Sequence, residues 1–129
     1  MAEKGSKPQG PPVVLVVDDE PLLLEAIGRE LKDICEVHTA ASAAEADLRI
    51  AERRFDAIVC DHMLPGEQGL DFLIRMMDKI PSTKRILMTG YTNAEFISRC
   101  TTIAGLSKCL VKPLRASDVA GAIKSSLAS

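Results

Sequence analysis

Four places in the sequence carry residue types that could do chemistry together. Asp18, Asp19 and Glu20 stand in a row directly after the aliphatic run Val13–Val17. Asp61 follows a second run, Ala57–Cys60, and Thr89 and Gly90 follow a third, Arg85–Met88. Lys112 and Pro113 follow Cys109–Val111. If folding gathers these places, carboxylates meet one ammonium, one hydroxyl and a glycine backbone. Close carboxylates repel, each pair by roughly 4 kcal/mol at an effective dielectric of ~20. A proton or a cation must relieve that. Oxygen donors in an open, hydrated site favour Mg²⁺, with Mn²⁺ as a substitute, over zinc. Lys112 adds a compact, flexible positive charge. Thr89 adds a hydroxyl donor, and Gly90 lets a backbone N–H approach with no side chain in the way. Metal, ammonium, hydroxyl and backbone donors around a carboxylate are the parts that phosphoryl transfer uses. One of the acids could itself be the nucleophile, forming an acyl phosphate.

Such groups need a fold that brings strand ends together. Five short runs read as strands: Val13–Val17, Cys35–Thr39, Ala57–Cys60, Arg85–Met88 and Cys109–Val111. The first, third and fourth are nearly continuous aliphatics, as in strands covered on both faces. Helical patterns lie between them. Pro21 opens a helix with Leu24, Ile27, Leu31 and Ile34 on one face. Ser42 with Glu45 reads as a capping box opening a helix to about Arg54. Leu70, Leu73, Ile74 and Met77 fit helical spacing. Thr92 with Glu95 is a second capping box, and Gly105 a helix stop. Val119, Ile123 and Leu127 stripe a last helix. Strand and helix alternate five times, which predicts an α/β fold with a doubly wound parallel sheet. In such a fold ligands bind beyond the carboxyl ends of the strands, where the four places lie. The second strand ends in Thr39-Ala40 and offers little chemistry.

The chain has 129 residues, enough for one domain. Its net charge of −2 gives no bulk case for binding nucleic acid or a membrane surface. With no Trp and one Tyr, it lacks a base-stacking surface. No apolar run approaches the ~18 residues that span a bilayer. Residues 1–12 have no hydrophobic segment of a signal peptide and no means to build a core. They read as a disordered leader or a cloning remnant, leaving residues 13–129 as the domain. Cys35, Cys60, Cys100 and Cys109 show neither CxxC nor zinc-ligand spacing. They read as free, mostly buried thiols of a reducing, cytoplasmic compartment.

The segments VVDDEP at 16–21, DHMLPGEQG at 61–69, MTGY at 88–91 and VKPL at 111–114 stand in this order, each at a strand end. Together they resemble the receiver domain of two-component response regulators, the CheY-like superfamily. The resemblance covers about Val13 to Leu127 and implies a flavodoxin-like (βα)5 fold with a five-stranded parallel sheet in the order 2-1-3-4-5. It implies Asp61 as phosphoacceptor, Asp19 as a direct Mg²⁺ ligand, and Asp18 as a second acid holding the metal. The backbone carbonyl of Met63 would be the third protein ligand. Thr89 matches the switch hydroxyl, and Lys112 the lysine that bonds a phosphoryl oxygen. Pro113 matches a proline that follows a cis peptide bond, and Pro65 and Gly69 match the loop after the acceptor strand. The implied function is a signalling switch. A sensor histidine kinase or histidine phosphotransfer protein donates the phosphoryl group, and the domain catalyses the transfer and a slow self-hydrolysis. The state is relayed to a downstream effector or output domain through the fourth helix, fifth strand and fifth helix. Side chains at Met63 and Tyr91 shape access for the hydrolytic water. Neither is a carboxylate or amide, so a phosphoryl lifetime of at least minutes is expected. One departure stands out: receivers carry Tyr or Phe three residues before the lysine, and this chain has Cys109.

Other residues read as structural. Glu20 is expected to cap or to face solvent. His62 is adjacent to Asp61 on an extended segment, so its side chain points elsewhere, to solvent or loop packing. His38 reads as packing, Met76 and Met77 as fillers, and Arg53-Arg54 and Lys84-Arg85 as solvated charges. Two rivals remain open. One is an aspartate-nucleophile phosphatase of the haloacid dehalogenase type, which would use an acid on the first strand. The other is an unphosphorylated interaction module. The chain has no helix-turn-helix, kinase or hydrolase motif, and both a stand-alone receiver and a piece of a larger regulator fit it.

Overall fold

The structure, a computed structural model, describes residues 10–129. Strands and helices alternate: β1 (Val13–Val17), α1 (Pro21–Leu31), β2 (Glu36–Ala40), α2 (Ala43–Glu52), β3 (Ala57–Asp61), α3 (Gly69–Lys79), β4 (Lys84–Thr89), α4 (Ala94–Ile103), β5 (Lys108–Val111) and α5 (Ala116–Ala128). All pairings are parallel, in the order β2-β1-β3-β4-β5. This is the doubly wound sheet the sequence predicts. The reading of 1–12 as a leader lies outside the described residues over 1–9. At its end, the Pro12 carbonyl accepts from the Glu36 N–H.

Every residue of β1 is buried, and its side chains alternate between two cores. Val14 and Val16 pack with Ile27 and Leu31 of α1 and Val119 and Ile123 of α5. Val13, Leu15 and Val17 join the opposite core, with Ile50 of α2, Phe72 and Met76 of α3, and Cys100 of α4. Fully burying each such side chain contributes about 1.5–3 kcal/mol, so the sheet is a rigid base for whatever stands at its ends. Cys35, Cys60 and Cys100 are buried and Cys109 half-buried, all as free thiols.

Several local readings shift. Ser42 does cap α2, accepting from the Glu45 N–H at 3.1 Å, but Glu45 reaches back to the Ala41 N–H. The cap of α4 is Asn93, whose Oδ1 accepts from the Phe96 N–H at 2.9 Å; Thr92 lies one residue too early. Gly105 ends α4 as expected, at φ +57°. The N–H groups of Gly105 and Leu106 fold back onto the carbonyls of Thr102 and Thr101. The buried face of α3 centres on Phe72, Leu73 and Met76, with Leu70 and Ile74 at its margin. Ile34 lies past the end of α1 and is exposed.

Arg85 corrects the reading of a solvated Lys84-Arg85 pair. Its side chain is buried and donates to four carbonyls: Ala104, Gly105, Pro81 and Thr83. Strand alternation sends Arg85 into the opposite layer from Lys84. Burial lowers the guanidinium from its usual value. Carbonyl acceptors from the end of α4 and the α3–β4 turn replace water around it.

Candidate functional site at the carboxyl ends of the strands

The sheet register sets the site. Val17 is level with Cys60, Asp61 with Met88, and Thr89 with Val111. Residues just past these positions therefore emerge side by side at one rim. Asp18 and Asp19 follow β1, Asp61 ends β3, Thr89 ends β4, and Lys112 follows β5. The second strand, at the sheet edge beyond β1, contributes no functional side chain.

Asp18, Asp19 and Asp61 each offer a carboxylate oxygen within 4.8 Å of the other two. Asp18 and Asp61 are buried, and Asp19 is exposed. Asp18 Oδ1 accepts from the Glu20 N–H at 2.8 Å, while its Oδ2 is buried with no donor. Burial pushes the Asp18 carboxyl from an ordinary 3.8 to about 6; the Glu20 N–H opposes this and the Asp61 charge adds to it. Lys112 Nζ lies 2.9 Å from Asp61 Oδ1. The ammonium is the one cationic neighbour of this oxygen among the described residues. Burial alone would lower Lys112; Asp61, then Asp18 and Glu20, outweigh it and hold the ammonium above its usual value. A divalent oxygen-seeking cation fits here. The buried Asp18 Oδ2 has no donor, and the acids carry more negative charge than one lysine offsets.

The remaining expected residues fall around this cluster. Glu20 is exposed at the start of α1, as expected. Gly90 is exposed, and a Cβ there would meet open space. Pro113 follows a cis peptide bond with Lys112. Met63 lies on the β3–α3 loop with its side chain mostly exposed. Gly69 opens α3 so close to β3 that a Cβ would collide with the Asp61 carbonyl. Among the described residues, no helix is long and apolar enough to cross a membrane. A hollow of about 470 Å³ at the opposite end of the sheet is walled by Arg53, Arg54, Lys79 and Phe55, away from these acids.

A family model described as the response regulator receiver domain matches residues 14–124. The chain belongs to the response regulator receiver family. It is 36% identical over 100 residues to the hydrogenase transcriptional regulatory protein HoxA of Cupriavidus necator, across 78% of this chain and 21% of that protein. It is 31% identical over 119 residues to the phosphate regulon transcriptional regulatory protein PhoB of Rhizobium meliloti, across 90% of this chain and 52% of that protein. The CheY-like receiver domain protein of Methanospirillum hungatei superposes with a TM-score of 0.82 at 29% identity, covering 92% of this chain and 95% of that one. The chain thus spans about a fifth to a half of these curated relatives.

This receiver holds one arrangement that the sequence did not suggest. His62 does point away from Asp61, but not to solvent: it is buried, and its Nδ1 lies 2.9 Å from Thr89 Oγ1. Its ring stacks on Phe96 at 5.6 Å and 23°, and meets Tyr91 edge-on at 5.3 Å. Tyr91 meets Phe96 edge-on at 5.0 Å. Thr89 is fully buried, and its hydroxyl also accepts from the Tyr91 N–H at 3.2 Å. Burial lowers the His62 imidazole from its usual value, against the pull of Asp61. The usable sequence signal was alternation past a strand end: a residue next to a rim acid points into the neighbouring layer, here the one carrying α4.

Proposed function

We propose that Asp61 accepts a phosphoryl group from a phosphohistidine of a sensor histidine kinase or histidine phosphotransfer protein. The observation that carries this is the buried Asp61 carboxylate, with Lys112 Nζ 2.9 Å from its Oδ1 and the Asp18 and Asp19 carboxylates beside it. In the transfer an Asp61 oxygen bonds to phosphorus as the P–N bond breaks, and the imidazole leaves and takes up a proton. Lys112 then turns from the carboxylate to a phosphoryl oxygen, and Thr89 supplies a hydroxyl to another. Asp18, Asp19, Asp61 and the Met63 carbonyl are the groups that would hold Mg²⁺ or Mn²⁺, which supplies positive charge to the phosphoryl oxygens. Water reverses the modification by attacking phosphorus and restoring the carboxylate. Met63 and Tyr91 offer that water no orienting carboxylate or amide, so we expect the phosphoryl group to last at least minutes.

Phosphorylation adds charge beside the ends of β3 and β4 and biases the conformation of the loops that follow. The downstream effector or output domain would read this in the cytoplasm, with no direct nucleic-acid contact by the receiver itself. The test is intact-mass spectrometry after incubation with acetyl phosphate and Mg²⁺. One phosphoryl adduct is expected in the wild type and none in Asp61→Asn or in chelator. An adduct that survives Asp61→Asn, or no adduct in the wild type, overturns the reading. The second outcome would leave an interaction module of the same fold.

A further inference from the structure

Where the family resemblance expects an aromatic on β5, this chain has Cys109, half-buried against the same core cluster that Phe96 packs on. Three rings gather elsewhere: His62 past β3, Tyr91 after β4, and Phe96 in the first turn of α4. We propose that His62 is the positioning residue that holds the resting Thr89 hydroxyl, and that His62, Tyr91 and Phe96 pass the movement of Thr89 to the start of α4. This rests on reading Asp61 as the phosphoacceptor.

The hydrogen-bond count at Thr89 makes the assignment. A threonine hydroxyl has one proton and two lone pairs. The Tyr91 N–H occupies one lone pair, and the only other partner of Oγ1 among the described residues is His62 Nδ1. Thr89 is fully buried, so its proton needs an acceptor within the protein. If Nδ1–H donated to Thr89, that proton would have none. The satisfied arrangement has Thr89 donating to Nδ1, with the imidazole proton on Nε2. The single hydroxyl proton then serves either His62 or a phosphoryl oxygen, never both. Recruiting Thr89 to a phosphoryl oxygen therefore withdraws its proton from His62 Nδ1.

The rings give that break a destination. His62 stacks face to face on Phe96, which sits in the turn capped by Asn93. Residues 91–95 are exposed, and the buried contact of α4 is Cys100, further along the helix. The first turn of α4 is therefore held mainly through Phe96, which packs on the ring cluster and on the margin of the core. Loss of the Thr89 bond frees His62 and, with it, the support beneath Phe96.

The sequence supplies a probe, because Tyr91 is its one tyrosine and there is no tryptophan. Tyrosine emission of the full chain therefore reports the cluster alone. The experiment titrates beryllofluoride with Mg²⁺ into wild type, His62→Leu and His62→Asn, following Tyr91 emission. His62→Leu keeps bulk but accepts no hydrogen bond; Asn restores an acceptor near Nδ1. We expect a shift of Tyr91 emission on binding in wild type. We expect about three- to tenfold tighter binding in His62→Leu, since one neutral hydrogen bond no longer competes. His62→Asn should return toward wild type. Nitrogen chemical shifts of His62 should show the Nε2–H tautomer in the resting protein. Binding of equal or weaker affinity in His62→Leu, or an Nδ1–H tautomer, overturns the relay alone. No binding of beryllofluoride by wild type overturns the Asp61 reading along with it.

Discussion

The two ends of β4 grip the same helix in opposite ways. At its start, Arg85 is buried and spends its guanidinium on four carbonyls, two of them at the end of α4. At its end, Thr89 meets the other end of α4 through one shared proton and a cluster of three rings. Charge-assisted, multiply bonded contacts stay made, whereas a single neutral hydrogen bond nets only ~1 kcal/mol and is easily exchanged. The lesson is mechanical. Helix α4 is fixed where it meets β5 and lightly held where it faces the acid cluster, so a change at Asp61 can move one end without unseating the other.

The largest expected effect comes from breaking the fixed end. Arg85→Ala strands four carbonyls and removes a buried side chain, and should cost about 3 kcal/mol in urea denaturation. Arg85→Lys should recover only part of this, because an ammonium lacks the planar fork that reaches both sides. If Arg85→Ala costs under about 1 kcal/mol, the two ends are not different in kind.

Breaking the light end should cost less stability and remove signalling. Thr89→Val keeps shape and loses the hydroxyl, for an expected cost of about 1 kcal/mol. Asp61 should still accept phosphoryl from acetyl phosphate, but Tyr91 emission should no longer respond. A response as large as wild type would show that movement reaches α4 by another route.

A subtler effect comes from Asp18. Its carboxyl keeps its proton to about 6 in the fold, against an ordinary 3.8. Between those values the unfolded chain has released the proton and the folded chain has not. Without a divalent cation, stability should therefore fall as pH rises from about 4 to about 6. A bound cation needs the carboxylate, so Mg²⁺ affinity should climb over the same range and level off above it. Calorimetric titrations with Mg²⁺ at about pH 5 and about pH 7 check this; equal affinities would contradict it.

The contrast between the two ends also marks what the sequence could say. The strands were legible because β1, β3 and β4 are continuous aliphatics, and the rim acids because they directly follow those runs. Parallel pairing then put Asp18, Asp61, Thr89 and Lys112 together without further information. Arg85 was misread as solvated because its partners are carbonyls, which every residue carries and no motif marks. His62 was read as turning from Asp61, correctly, but its destination depends on Thr89, 27 residues away, and on a ring from α4. Thr92 and Asn93 are both good helix caps, and the path of the β4–α4 loop selects the second. Alternation and spacing reveal which way a side chain points; what waits there is decided by the neighbouring element.

Amide hydrogen exchange along α4, with Mg²⁺ alone and with Mg²⁺ plus beryllofluoride, tests the account most directly. It predicts altered exchange over residues 89–97, at the Thr89 end, and unchanged protection over residues 100–107, where Arg85 binds. Uniform change along the helix, or change confined to 100–107, would contradict it.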